Sequence, residues 1–352
     1  MTAAVPGRPL DTASRVRRAP ELRPVDPSVH TDTVWELARA RDLAALGRVE
    51  TTRAWIEGRL TAPGADPARD ARLCPGPGGE AVGAAWVGRT SGVAGWVVEL
   101  ALGPRAAQAD ATALLEFAVA RCRASLGGDD GAERATLSCF TSAGEDLART
   151  TLRDHGFGLP RAYHRMAVAL DGPLADRTGA SGVPGFPGVP VVPGAVVRPL
   201  RDEADLRAFH HAKNQAYAAD EAGKEEDSFD SWARWYRSDP GVDPSQCALL
   251  ELDGRVVGFV NVTDRMLESR GVAYVRQLGI DPSARGRGLG GVLLGWAMGE
   301  ARRRGRAGMV LTVDEENVRA RALYRRLGWR VESRWDDVRR TVAPAAPAAR
   351  RP

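Results

Sequence analysis

Two hydrophobic periods alternate along the chain, and the switches between them mark out its elements. In the C-terminal half the apolar run VVRPL (196–200) reads as a short strand, followed by a helical stretch through Leu206 and His210. SFDSWARWYR (228–237) predicts a second helix, whose Trp232, Trp235 and Tyr236 fall at i, i+3 and i+4 and so mark a core-facing side. ALLEL and RVVGFVNV, joined by Asp253-Gly254, predict a hairpin, because that dipeptide tolerates the positive φ of a tight turn. AYVRQLGI (273–280) reads as a further strand, and a long helix follows from Leu289 to Arg304. MVLTV (309–313) is then a strand, Asn317 to Leu327 a helix, and WRVESRW a closing strand. The pattern is that of an α+β domain built on a mixed sheet, with a helix after each of two central strands.

The N-terminal half repeats this order weakly. LALGPRAAQADATALLEFAVARC (100–122) lines up without gaps on LGIDPSARGRGLGGVLLGWAMGE (278–300), at a constant offset of 178. The strand-like ATLSCF (135–140) and a helix ending at His155-Gly156-Phe157 then mirror MVLTV and the helix ending at Leu327-Gly328-Trp329. The expectation is two divergent copies of one fold.

Composition divides the chain further. Residues 171–194 are dense in Gly and Pro without an apolar period, which predicts a linker between domains at 26–170 and 195–340. Residues 1–25 and 341–352 are expected to be disordered tails. The net charge is +4, yet Lys213 and Lys224 are the only lysines, a bias expected of a GC-rich, actinobacterial genome. The charge therefore argues for a solvated surface rather than a nucleic-acid face. With a mean hydropathy of −0.28 and no long apolar run, neither a membrane span nor a secretory leader is expected, and the location expected is cytoplasmic. Cys74, Cys122, Cys139 and Cys247 show no paired spacing, so neither a metal site nor a disulfide scaffold is expected.

The chemistry-bearing segment is Arg285-Gly286-Arg287-Gly288-Leu289-Gly290, after a predicted strand and at the head of a long helix. A glycine-rich turn lets backbone N–H groups approach an anion closely, and the helix N-terminus adds a favourable dipole. Arg285 and Arg287 can add charge-assisted contacts to phosphate. The trailing Lys-Ser/Thr of a triphosphate-binding loop is missing, as is the full dinucleotide-binding spacing. Some 27 residues beyond the loop stands Asn317-Val-Arg-Ala320-Arg-Ala-Leu323-Tyr324-Arg-Arg-Leu327-Gly328-Trp329.

Together these segments resemble the GNAT superfamily of N-acetyltransferases. That family carries a Q/R-x-x-G-x-G/A loop, matched here by Arg285, Gly288 and Gly290. Its later N-x-x-A-x-x-L-Y-x-x-L-G-F/W run is matched by Asn317, Ala320, Leu323, Tyr324 and Gly328, with Trp329 for the usual Phe. The likeness covers residues 196–337; over 30–170 it is a topological echo, in a tandem arrangement similar to that of the mycothiol synthases. The resemblance implies acetyl-CoA as acyl donor, an amine of a small molecule or peptide as acceptor, and no metal. It implies that the backbone of Leu278, Gly279 and Ile280 lies along the pantetheine arm. Backbone amides of Arg285, Gly286, Arg287, Gly288, Leu289, Gly290 and Gly291 would hold the pyrophosphate. Asn317 would contact the cofactor arm, and Tyr324 would protonate the departing thiolate.

An amine with a pKa near 10 must lose a proton before it attacks a thioester, so a base is needed. The predicted strand reads Tyr274, Val275, Arg276, Gln277 and offers no acid. The candidates elsewhere are the cluster Asp220, Glu221, Glu225, Glu226 and Asp227, the run Asp314 to Glu316, or a water chain; the first cluster would favour a cationic acceptor. In the N-terminal copy Ala107, Asp110 and Thr112 replace Arg285, Gly288 and Gly290, and Leu152 replaces Tyr324. That copy is expected neither to catalyse nor to hold acetyl-CoA firmly. The competing expectation for the whole chain is a non-catalytic acyl-CoA sensor or scaffold.

Overall fold

The computed structural model describes residues 20–62, 64–89, 95–126, 133–170, 189–218, 228–238 and 241–344. The N-terminal half runs β1 (Arg23–Pro24), α1 (Pro27–Leu46), α2 (Arg53–Leu60), a single-turn α3 (Pro67–Asp70), β2 (Ala71–Pro75), β3 (Ala81–Arg89), β4 (Gly95–Leu102), α4 (Gln108–Arg123), β5 (Ala135–Ser142), α5 (Asp146–Asp154) and β6 (Gly158–Ala169). The C-terminal half runs β7 (Ala195–Pro199), α6 (Glu203–Tyr217), α7 (Phe229–Ser238), β8 (Ala248–Leu252), β9 (Arg255–Thr263), α8 (Leu267–Arg270), β10 (Val272–Ile280), α9 (Leu289–Arg303), β11 (Gly308–Asp314), α10 (Val318–Arg326) and β12 (Arg330–Val342). Helix starts follow the side chains that satisfy their open N–H groups: Asp26 caps α1, Thr52 caps α2 and Asp202 caps α6.

All twelve strands form one sheet, in the order β1-β2-β3-β4-β5-β12-β6-β11-β10-β9-β8-β7. The two halves meet by exchanging their last strands. β6, from the first half, pairs with β11 of the second, and β12 pairs with β5 of the first. β6 and β12 then pair with each other, with Tyr163 opposite Trp335. The exchange covers the edges that β5 and β11 would otherwise expose.

This geometry corrects the expected boundaries. The closing strand continues well past the predicted WRVESRW to Val342, which is 2% exposed and pairs with Ala135, so the chain there is not a loose tail. At the other end Val25 is 1% exposed and Arg23–Pro24 pair with β2, which ties the end of the expected N-terminal tail into the sheet. The internal offset also changes: Leu100 to Leu278 is 178 residues, whereas Gly156 to Gly328 is 172, because the connection after α4 is longer than that after α9.

The paired Tyr163 and Trp335 define one face of the sheet. Met166 on β6 and Val338 on β12 point to the opposite, back face, where they join the cores under α9 and α4 respectively. Helices α1 and α2, and α6 and α7, therefore share the front face. Under α6 and α7 the core is aromatic: Phe209 stacks on Trp232 at 5.9 Å and meets Phe259 at 4.8 Å. Trp232 and Tyr236 are buried there; the side chain of Trp235 lies outside the described residues.

Candidate functional site

The centre of the C-terminal half is a gap between two parallel strands. β10 and β11 pair from Val272–Gly308 as far as Val275–Leu311, and then separate while both continue. At the same point β10 bulges: Val275 faces Val262 and Gln277 faces Asn261, leaving Arg276 as the extra residue. A bulge bends its strand and raises the local twist, so it helps to open the gap. Leu278, Gly279 and Ile280 lie beyond it, with one strand edge paired to β9 and the other turned toward the separation. The carbonyl of Leu278 accepts from Tyr217 Oη at 3.1 Å, and that of Ile280 from Arg285 Nε at 3.0 Å. Gly279 permits close packing of α6 on this strand, since a Cβ there would stand 2.7 Å from Ala216.

The loop after β10 leads into α9 through Gly286 (φ 85°) and Gly288 (φ 82°), both in the left-handed region that side-chain-bearing residues avoid. The Arg285 N–H donates to Pro282, and those of Gly291 and Val292 to Gly288. Between them, the N–H groups of Gly286, Arg287, Gly288, Leu289 and Gly290 have no acceptor among the described residues. Five successive open amides at the N-terminus of a 15-residue helix form a site suited to a phosphate anion. Arg287 is exposed, and no carboxylate among the described residues pairs with it. Arg285 is used differently from the sequence expectation: its guanidinium donates to the carbonyls of Ile280 and Ala216, bracing β10 against the end of α6. Leu289 is buried in the core beneath α9.

Helix α10 closes the other side. Asn317 caps it, its Oδ1 accepting from Ala320 N at 3.0 Å. Leu323 approaches the first turn of α9: a Cβ on Gly290 would lie 3.2 Å from Leu323 and 3.9 Å from Leu278, and one on Gly291 would lie 3.6 Å from Leu323. Loop, strand end and α10 therefore converge. Tyr324 is 9% exposed, with its ring 6.0 Å from that of Trp329, and burial pushes its phenol up to about 12. It is thus a neutral O–H at physiological pH, in the protonation state a proton donor needs.

Sequence reasoning missed two contributors. The end of the Pro/Gly-rich connection seats Pro190 against α9, where a Cβ on Gly288 or Gly291 would come within 2.9 Å of it. On the front face, Arg165 of β6 reaches the gap from the other half and donates through Nε to Thr312 Oγ1 at 3.1 Å. Tyr274 Oη lies 3.3 Å from the same hydroxyl. No local motif could reveal Arg165, because only the strand exchange brings it there. Of the proposed bases, residues 220–227 lie outside the described residues. Asp314 is paired with Arg161 at 2.6 Å, and Glu315 with Arg334 at 3.3 Å.

The equivalent loop of the N-terminal half carries its own anion. Asp110 Oδ2 accepts from Ala107 N at 2.9 Å, while the N–H groups of Asp110 and Ala111 donate to the Ala107 carbonyl. The carbonyl of Leu100, counterpart of Leu278, accepts from Arg41 at 3.3 Å.

Residues 206–329 match the model of the acetyltransferase (GNAT) family. The chain is 36% identical over 107 residues to an uncharacterized N-acetyltransferase of Methanocaldococcus jannaschii, covering 28% of this chain and 45% of that protein. It is 33% identical over 140 residues to a mycothiol acetyltransferase of Thermomonospora curvata, covering 39% and 44%. The chain thus spans less than half the length of these curated relatives. Among solved structures, a GCN5-related N-acetyltransferase from Sphaerobacter thermophilus aligns over 93% of this chain and 96% of its own, with a TM-score of 0.74 and 23% identity. A tandem GNAT protein from the clavulanic acid biosynthesis pathway aligns over 93% and 99%, with a TM-score of 0.64 and 18% identity. The chain therefore has the fold of a tandem GNAT protein, and its segment 206–329 matches the acetyltransferase (GNAT) family model.

Proposed function

We propose that the C-terminal half transfers an acetyl group from acetyl-CoA to a primary amine of a small molecule or peptide. The observation that carries this reading is the row of open amides from Gly286 to Gly290, set at a helix N-terminus beside a bulged, diverging strand and a buried neutral tyrosine. In this reading those amides hold the diphosphate, and the β10 edge from Arg276 to Ile280 lines the pantetheine arm. Asn317 stands at the head of α10 beside the arm, and Tyr324 supplies a proton to the leaving thiolate. The acceptor amine enters from the front face, having given up a proton, and attacks the thioester carbonyl directly. The N-terminal half buttresses the site and does not catalyse. The relatives named mycothiol acetyltransferase are consistent with transfer to an amine, over the part of the chain they share.

The test is a thiol-release assay with acetyl-CoA against a panel of primary amines, run beside Tyr324→Phe and Gly288→Glu. Turnover is expected with at least one amine, to be slowed by the first variant and removed with binding by the second. Tight acetyl-CoA binding without turnover on any amine would instead make the protein an acyl-CoA sensor.

A further inference from the structure

On the front of the sheet, beside the point where β10 and β11 part, an exposed arginine lies across a tyrosine ring. Arg265 follows β9, and its guanidinium carbon sits 4.8 Å from the centre of the Tyr274 ring. No carboxylate among the described residues pairs with it. A guanidinium stacked on an aromatic face keeps the N–H groups around its rim available, in the fork geometry that suits a carboxylate. Arg165 approaches the same ring at 5.9 Å.

Among the described residues the surrounding charges do not cancel these cations. Glu50, from the connection between α1 and α2, is bound by Arg165 at 2.5 Å, Arg48 at 2.9 Å and Arg270 at 3.3 Å. Glu332 of β12 shares Arg48 and Arg270. Among the described residues three guanidiniums therefore meet two carboxylates, while Arg265 adds to the excess beside Tyr274. The phenol registers this field: burial alone would raise its pKa, yet Arg265, Arg165, the Thr312 hydrogen bond and Arg276 together hold it below the ordinary value.

We infer that the acceptor amine belongs to a molecule that also carries a carboxylate, and that Arg265, stacked on Tyr274 with Arg165 behind it, receives that carboxylate. The inference rests on the acyl-transfer reading above and names the substrate class of the same site. The reacting amine lies toward Gln277, one bulged step along β10 from Tyr274. The N-terminal half takes part through Arg165 of β6, which its Glu50 holds in place. In this reading Arg265 favours an anionic acceptor, opposite to the preference expected of the acidic run at 220–227, which lies outside the described residues.

A product-side titration tests this without depending on turnover. With CoA present, a panel of N-acetyl amino acids is titrated calorimetrically against the matching N-acetyl amino acid amides. At least one acid is expected to bind about tenfold or more tightly than its amide, the scale of one hydrogen bond to a charged group. Arg265→Gln should erase that preference while leaving CoA affinity unchanged, and Arg265→Lys should keep part of it. No acid exceeding its amide, or a preference that survives Arg265→Gln, overturns the inference. Absence of this preference in the unaltered protein, beside intact amine acetylation, would count against the carboxylate site alone, whereas absence of acetylation on every amine would count against the acyl-transfer reading.

Discussion

In both halves a parallel strand pair parts at the equivalent rung, Val98–Cys139 in the first and Val275–Leu311 in the second. What fills the space beyond it differs. The C-terminal loop leaves five amides open, whereas in the N-terminal loop Asp110 folds its carboxylate back onto the Ala107 amide and occupies the equivalent anion site itself. Arg41 covers the Leu100 carbonyl, and Leu152, 1% exposed, stands where the other half has Tyr324. β4 pairs with β3 without a register shift, so it also lacks the inserted residue that Arg276 provides in β10. The fold therefore survives loss of the site. A few positions decide whether the gap receives an external anion or is closed by the chain's own groups.

The largest expected effect comes from giving the second loop the charge of the first. Gly288→Glu places a carboxylate among the open amides at a positive-φ position, and acetyl-CoA affinity should fall on the order of 1000-fold, matching the 3–5 kcal/mol cost of an uncompensated charge. Calorimetry would show this, and unaltered affinity would mean that the two loops do not differ as described. Next comes the seam between the halves. Glu50→Ala leaves Arg165 buried without its carboxylate, so urea unfolding should show a loss of about 3 kcal/mol. Unfolding of the two halves in one transition with no such loss would show that the exchanged strands, and not this ion pair, hold them together.

Tyr324→Phe removes only a hydroxyl, and should lower kcat about 100-fold with acetyl-CoA affinity preserved, the scale of general acid catalysis. An equal fall in affinity would make the hydroxyl a binding group. Asp110→Ala strips the first loop of its internal anion. It should cost about 1 kcal/mol as a lost N-terminal cap, yet leave one acetyl-CoA bound per chain because Arg41 still covers Leu100. A second bound equivalent would show that one carboxylate is the whole difference between the halves.

Acid should also separate them, by a smaller margin. Hydrogen bonding from Arg201 first, opposed by burial and joined by Arg198, lowers Asp205 at the start of α6 to about 2. Its folded pKa lies below its unfolded value, so its contribution is present above about pH 4 and lost as pH falls toward 2, amounting to about 1–2 kcal/mol. Asp205 stands three residues inside the cap of α6, Asp202, whereas in the first half the capping carboxylate of α1, Asp26, is exposed. Circular dichroism of Asp205→Asn across pH 2–5 should therefore show a flatter acid limb than the wild type.

Much of this was legible from local pattern. Period-two runs identified β8, β9, β10 and β11, and the glycine loop and the run holding Asn317 and Tyr324 fell in two spaced motifs. The bulge was not legible, because one extra residue in a β-rich run leaves no compositional trace. The role of Arg285 was hidden for another reason: a long side chain beside an anion loop can face the ligand or its own backbone, and only the position of the Ala216 carbonyl decides.

The sequence by itself determined the two copies, the order of their elements, the anion loop of the second and the loss of that loop in the first. These follow from short-range physics: side-chain periodicity, positive-φ glycines and capping groups act within a few residues. Tertiary structure alone decided which half each last strand pairs with. β6 and β12 have much the same alternation whether they close their own half or the other, and their hydrogen bonds are satisfied either way. The exchange brings Arg165 and Glu50 to the mouth of the second gap, so the charge there was set by residues more than a hundred positions apart in the chain.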